Sequence, residues 1–306
     1  MSASPRFDLA FASPRKLPKP REVRGAVAVL DIAFASEAGG HSFESTTLPF
    51  IEGLGPRLAA WVDHHDSVHH ARYAGDPRFV LSTKAEHGAC PEMITGEVVA
   101  RAGQVDTLVC HVDFDGLASG AKWMRGGVEP YAGCDADARA IDTRTGTPGP
   151  LAVRIDRALR ARPRDQALFG IIVRLLAGGV ADRSLWEPID AAGAELASME
   201  SEARRLAGGY ERFEPDLLLV DAGKRKGPYD KTLLLLLGQE RGRMSAVIDG
   251  DSVTFAAGFD SGVNFLHAFG ISGGMPTRVS IQRSKLPGAL AALGVSAEDA
   301  RRILER

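Results

Sequence analysis

Three short apolar runs in this chain each stop abruptly at an acid or a histidine. Residues 25–31 read GAVAVLD, residues 58–62 run into Asp63-His64-His65-Asp66, and residues 107–110 run into His111-Val-Asp113-Phe-Asp115-Gly116. Unbroken Val, Ala and Leu runs of this length are typical of strands buried on both faces, and such strands belong mainly to parallel sheets. Parallel strands finish on one common edge, where α/β proteins bind their ligands. The expected fold class is therefore α/β, with functional groups gathered at that edge.

The segment after Cys110 holds three ligand-type side chains in five residues. Alternate side chains of an extended segment share a face, so His111, Asp113 and Asp115 are expected to converge on one side of an acidic turn. Gly116 then permits a tight exit into a helix. Carboxylates this close repel each other unless a cation neutralises them. Carboxylate and imidazole together suit Mn²⁺, Fe²⁺, Zn²⁺ or Mg²⁺ better than a thiolate-seeking metal. Taken alone, the stretch also reads as a polar loop at a strand end. Asp31, Asp63, His64, His65 and Asp142 fall at other strand ends or adjacent loops. A shared edge would then collect Asp31, Asp63, Asp113, Asp115 and Asp142 with His64, His65 and His111. Two divalent ions sharing a bridging carboxylate would neutralise that edge and form a site for in-line displacement at phosphorus.

The rest of the pattern supplies the scaffold. Residues 1–24, rich in Pro, Arg and Lys, read as a loosely packed N-terminal arm. Residues 25–150 form the first domain, with helices expected at 48–54, 91–102 and 117–124 and a short one near 135–140. Residues 151–212 show helical spacing of apolar residues and read as a helical connector. Residues 213–306 read as a smaller α/β domain with strands at 216–220, 245–248, 252–257 and 278–282, the middle two a hairpin around Asp249-Gly250-Asp251.

Composition removes several classes. The chain has 306 residues, 44% of them hydrophobic, and a formal net charge of −2. That balance disfavours bulk binding to long nucleic acid, so an anionic ligand needs a local basic cluster. Cys90, Cys110 and Cys134 form no CxxC pair and no disulfide framework, which points to a reducing, cytoplasmic compartment. No apolar run approaches a membrane span, and no secretory leader is expected.

Asp63-His64-His65 resembles the signature of the DHH phosphoesterases. His111-Val-Asp113-Phe-Asp115-Gly116 is similar to that family's first motif, Asp31 to its second and Asp142-Thr143 to its fourth. His87-Gly-Ala-Cys-Pro-Glu92 resembles the small-residue segment that follows DHH. The order is permuted, because the first-type motif follows the DHH. The resemblance covers roughly residues 25–146. It implies a mainly parallel sheet with flanking helices and a smaller C-terminal domain for the substrate. It also implies two divalent ions, Mn²⁺ first and Mg²⁺ second. His111, Asp113 and Asp31 would hold one ion. Asp115, Asp31, His64 and Asp142 would hold the other. His65 would contact the scissile phosphate, and Asp63 would orient a histidine.

In the second domain, Gly273 and Gly274 resemble the family's glycine-rich substrate loop, with Arg278 beside them. Met275 stands near the place of the family's histidine. A plain turn before a strand is the alternative reading. The basic loop 222–227 reads as a solvated charge run. His69 and His70 are expected to be exposed, His41 and His87 are left open, and no cysteine is given a catalytic role. The expected function is phosphodiester hydrolysis in short oligonucleotides or small nucleotides, through two-metal activation of water. The alternatives are a pyrophosphate- or phosphomonoester-cleaving relative and a non-catalytic nucleotide-binding module. The expected partners are a short nucleic acid or small nucleotide, with a homodimer as the assembly considered and no membrane.

Overall fold

In a computed structural model, the apolar runs form strands whose side chains alternate between two cores. The structure describes residues 7–305. It divides into two units, one of residues up to 35 with 42–194, the other of 36–41 with residues from 195 onward.

The first unit is built on a five-stranded sheet. Its strands are β1 (Asp8–Ala12), β2 (Val27–Leu30), β3 (Leu58–Asp63), β4 (Phe79–Leu81) and β5 (Thr107–His111), in the order β1-β5-β2-β3-β4. Every pairing is parallel. Ala28, Leu30, Ala60, Val62, Leu108 and Cys110 face one core. Val27, Val29, Leu58, Trp61 and Val109 face the other. This period of two, interrupted by a register shift between Leu58 and Ala60, with both faces covered, is why the runs are apolar throughout. Burying each Val, Leu or Phe side chain contributes about 1.5–3 kcal/mol. The first core is closed by helices Phe114–Met124, Cys134–Thr143, Pro150–Ala161 and Gln166–Ala177.

Three local expectations change. Part of the supposed loose arm is the edge strand β1, which pairs with β5 from Asp8↔Thr107 to Ala12↔His111, and Phe11 packs edge-on to Phe169 at 5.5 Å. Residues 1–6 of that arm lie outside the described residues. The helix expected over 91–102 is split into a 3₁₀ turn at Cys90–Met93 and a helix at Gly96–Ala102. Thr95 is extended there and caps the second piece, accepting from Val98 N. The connector 151–212 is divided as well: its first two helices close the first core, and helix Trp186–Ala207 carries the chain into the second unit.

The second unit holds strands β6 (Glu211–Phe213), β7 (Leu217–Asp221), β8 (Met244–Asp249), β9 (Ser252–Ala257) and β10 (Arg278–Gln282), in the order β10-β9-β8-β7-β6. Only β7 and β8 run parallel. The β8–β9 hairpin turns at Gly250, whose φ is +59°, a conformation glycine adopts freely.

Candidate active site

Because β5, β2 and β3 are parallel neighbours, their C-terminal ends lie side by side. Asp31 follows β2 with φ +60°, a left-handed conformation that Asp tolerates better than most residues. Its N–H donates to the Val62 carbonyl at 2.8 Å, fixing the turn against β3. After β5, Asp113 is extended and caps the next helix, its Oδ1 accepting from Gly116 N at 3.2 Å. Gly116 is required by close approach: a Cβ there would lie 2.7 Å from both the Cβ and the carbonyl oxygen of His111.

This cap changes how the acidic motif works. The segment is not extended through Asp115, since the helix begins at Phe114 and Asp115 lies in its first turn. The motif is thereby split between two groups of ligand atoms. Asp31, His111 and Asp113 form one; His64, Asp115 and Asp142 form another; Asp31 also groups with His64 and His65. Within each group the ligand atoms lie within 4.8 Å of one another. Asp142 reaches its group from the last turn of helix Cys134–Thr143, rather than from the turn expected after a shorter helix.

The geometry leaves buried polar atoms without hydrogen bonds. Asp31 is 1% exposed, and neither of its carboxylate oxygens has a hydrogen-bond partner. His64 Nε2 stands 3.1 Å from Oδ1 and His111 Nδ1 stands 3.4 Å from Oδ2. His111 Nδ1 also lacks a hydrogen bond, although Asp113 Oδ2 is 2.7 Å away. An uncompensated buried ion costs several kcal/mol, more than burial of one apolar side chain returns. Three donors pointing at one another without bonding fit a divalent cation among them. The donor chemistry agrees, because the thiols are unsuited. Burial, with Asp31 nearby, pushes Cys110 up to about 12, and burial likewise pushes Cys134 up to about 12. Burial and the neighbouring Asp31 carboxylate raise Cys90 well above its usual value.

The DHH residues have distinct surroundings. His64 is fully buried; its Nδ1 lies 2.8 Å from the His87 carbonyl, which can only accept, so Nδ1 carries the hydrogen. Its Nε2 faces the Asp31 and Asp115 carboxylates; burial and the Lys84 ammonium work to lower its pKa, but those carboxylates outweigh them and raise it to about 11. His65 Nδ1 donates to Asp63 Oδ1 at 2.8 Å, leaving Nε2 as the nitrogen available to a substrate. Burial works to raise the Asp63 carboxyl, but the His65, His64 and His70 rings outweigh it and hold it below its usual range. Burial raises Asp115, and repulsion from Asp113 and Asp142 adds to it.

One participant was not expected from sequence and another was left open. Lys84, three residues past the end of β4, is 2% exposed and inside the site. Its Nζ lies 2.8 Å from His64 Nε2 and in close ion-pair contact with Asp142. Burial opposes the ammonium, yet Asp142, Asp115 and Asp31 more than compensate and raise its pKa. Only its position three residues beyond a strand hinted at this. The other is His87, which acts through its backbone carbonyl, while its ring approaches Ser82 Oγ at 2.9 Å. His69 and His70 are half-buried rather than exposed: His69 stacks on Phe43 at 4.2 Å, and His70 meets the Phe34 ring edge-on.

Gly273, Gly274 and Arg278 belong to the second unit. The chain turns at 275–278, where Arg278 N donates to the Met275 carbonyl at 3.2 Å and opens β10. Ser272 donates to Glu37 through both its N–H and its hydroxyl. In the basic loop, Arg225 pairs with Asp249 at 2.6 Å and Lys226 N–H donates to Glu202.

No protein-family model matches this sequence, and no curated protein matches it. Among solved structures, one described as "pGpG-specific phosphodiesterase - PggH from Vibrio cholrae" aligns over 92% of this chain and 97% of its own, at 10% identity and a TM-score of 0.39.

Proposed function

We propose that this chain is a metal-dependent phosphohydrolase of the DHH type, cleaving a phosphodiester bond in a short oligonucleotide or small nucleotide. The observation that carries this reading is the buried Asp31 carboxylate without hydrogen-bond partners, flanked by His111, Asp113, His64 and His65. The strand order supports it. The His111 motif, Asp31 and Asp63-His64-His65 stand on adjacent strands β5, β2 and β3, although the chain visits them as β2, β3, β5.

A divalent ion held by Asp31, His111 and Asp113, Mn²⁺ or Mg²⁺, would neutralise the carboxylates and activate water for in-line attack at phosphorus. His64 is locked by the His87 carbonyl so that Nε2 points into the carboxylate group. His65 is the more open of the pair, and Asp63 fixes its Nδ1–H. Its Nε2 is thus positioned to hydrogen-bond the scissile phosphate and stabilise developing charge, with Asp63 as the orienting carboxylate. Substrate contacts are assigned to the backbone at Gly273 and Gly274 and to Arg278, groups suited to phosphate. A cytoplasmic location agrees with three buried, unpaired cysteines. Among the described residues, no helix is long and apolar enough to cross a membrane.

The test is hydrolysis by metal-stripped protein with and without Mn²⁺. The panel holds an aryl phosphodiester, short RNA and DNA oligomers, cyclic dinucleotides and pyrophosphate, with Asp115→Ala as control. Mn²⁺-dependent turnover of a diester, lost in the variant, is the expected result. Turnover that survives both chelation and Asp115→Ala would overturn the reading.

A further inference from the structure

The His64, Asp115 and Asp142 group already contains a cation from the chain itself. Lys84 Nζ is 2.8 Å from His64 Nε2 and paired with Asp142 Oδ2, and the side chain is 2% exposed. Its backbone is tethered too, Lys84 N–H donating to Asp66 Oδ2 at 3.2 Å. A metal ion ligated by these atoms would need to sit about 2.0–2.2 Å from each of them. The ammonium contacts two of the same atoms, so an ion and Nζ cannot both use this group. Among the described residues, the Asp31, His111 and Asp113 group has no such amine against it: its close neighbours are the His64 and His65 rings.

We infer that Lys84 is a built-in cation standing in for a second metal ion, so that the centre takes a single divalent ion, at Asp31, His111 and Asp113. The charges favour this division. One divalent ion matches the Asp31 and Asp113 carboxylates, while the Lys84 ammonium offsets the Asp142 carboxylate without an ion having to be desolvated there. Lys84 is also too enclosed to serve as an ordinary surface contact for substrate. Its role is to hold His64 and Asp142 in place beside the metal-bearing half. This inference rests on the metal-dependent reading of the same site.

The experiment counts Mn²⁺ bound to the metal-stripped full chain by equilibrium dialysis with elemental analysis, alongside the electron paramagnetic resonance of the bound ion. Wild type is expected to bind about one ion per chain with the spectrum of an isolated Mn²⁺, and Lys84→Met about two with a spin-coupled spectrum. Lys84→Gln, uncharged and of similar length, is read in the same way if Lys84→Met does not fold. Two coupled ions in wild type would overturn the inference while leaving the metal-dependent reading intact. A single ion in both wild type and Lys84→Met would also overturn it, because Lys84 would then not be what excludes the second. No bound ion in wild type would remove the metal-dependent reading and this inference together.

Discussion

The two units treat charge in opposite ways. At the edge of the first sheet, Asp31, Asp63 and Asp115 are buried, and Asp31 has no hydrogen-bond partner. In the second unit, partly exposed acids have matched partners. Asp249 is contacted by Arg225 at 2.6 Å, Tyr229 Oη at 2.9 Å and Lys231 at 3.1 Å, and Glu202 by Arg205 at 2.6 Å. Surface pairs of the second kind cost little to form and contribute little. Buried unpaired carboxylates are expensive, and a fold retains them where a cation or substrate completes them. The contrast separates a site from a solvated face, although both regions are rich in Asp and Arg or His.

The sharpest way to break this contrast is Asp31→Asn. Asn tolerates the left-handed backbone at this position, so the change removes charge with little backbone cost. Turnover is expected to fall by about 10²–10³-fold or more, the scale of losing a preorganised charged group. The melting temperature of the metal-free protein should rise, because a buried carboxylate without a hydrogen bond is gone. A lower melting temperature would mean that Asp31 is satisfied after all.

Asp63→Asn probes the orienting role. Titration calorimetry should find Mn²⁺ binding retained while kcat falls by about 10–100-fold, the usual cost of losing such a partner. Loss of the metal itself would make Asp63 a ligand and not an orienting group.

The acid limb of stability offers a third comparison. Burial works against the Asp142 carboxylate, but Lys84, His64 and His65 outweigh it and hold its pKa at about 2. A depressed folded-state pKa gives stability that is present above the ordinary carboxylate value and lost as pH falls through the folded one. Denaturant titrations of the metal-free protein should therefore lose on the order of 2 kcal/mol between about pH 5 and pH 2 through this group. Asp142→Asn should flatten that limb, and an unchanged slope would show that the Lys84 pair does not stabilise the fold.

The smallest effect is expected in the second unit. A double-mutant cycle on Arg225 and Asp249 should give a coupling below about 1 kcal/mol in thermal unfolding, since Arg225 is half exposed. A coupling of several kcal/mol would erase the distinction between the two regions.

Much of this site was legible in the chain. The strands at 27–30, 58–63 and 107–111 match their apolar runs, because burial on both faces leaves a local pattern. The acids and histidines that close those runs were visible for the same reason. Their grouping was not. Alternation suggested one face for His111, Asp113 and Asp115, whereas the Asp113 cap begins a helix and sends Asp115 to the other group. Asp142 was expected in a turn and lies in a helix, and His64 is held by the backbone carbonyl of His87, a contact that side-chain chemistry does not announce.

What the sequence by itself determined is the set of buried strands and the chemical types at their ends. Those follow from short-range periodicity and from the cost of burying polar groups. The tertiary structure decided which ends became neighbours. Placing β5 beside β2, and β2 beside β3, joins Asp31, His64 and His111 across gaps that no local pattern spans. It also decided the fate of Lys84, a residue type almost never fully buried unless paired. In sequence Ser-Thr-Lys-Ala reads as surface, and the ammonium is drawn inside because the sheet order assembles carboxylates that it can offset.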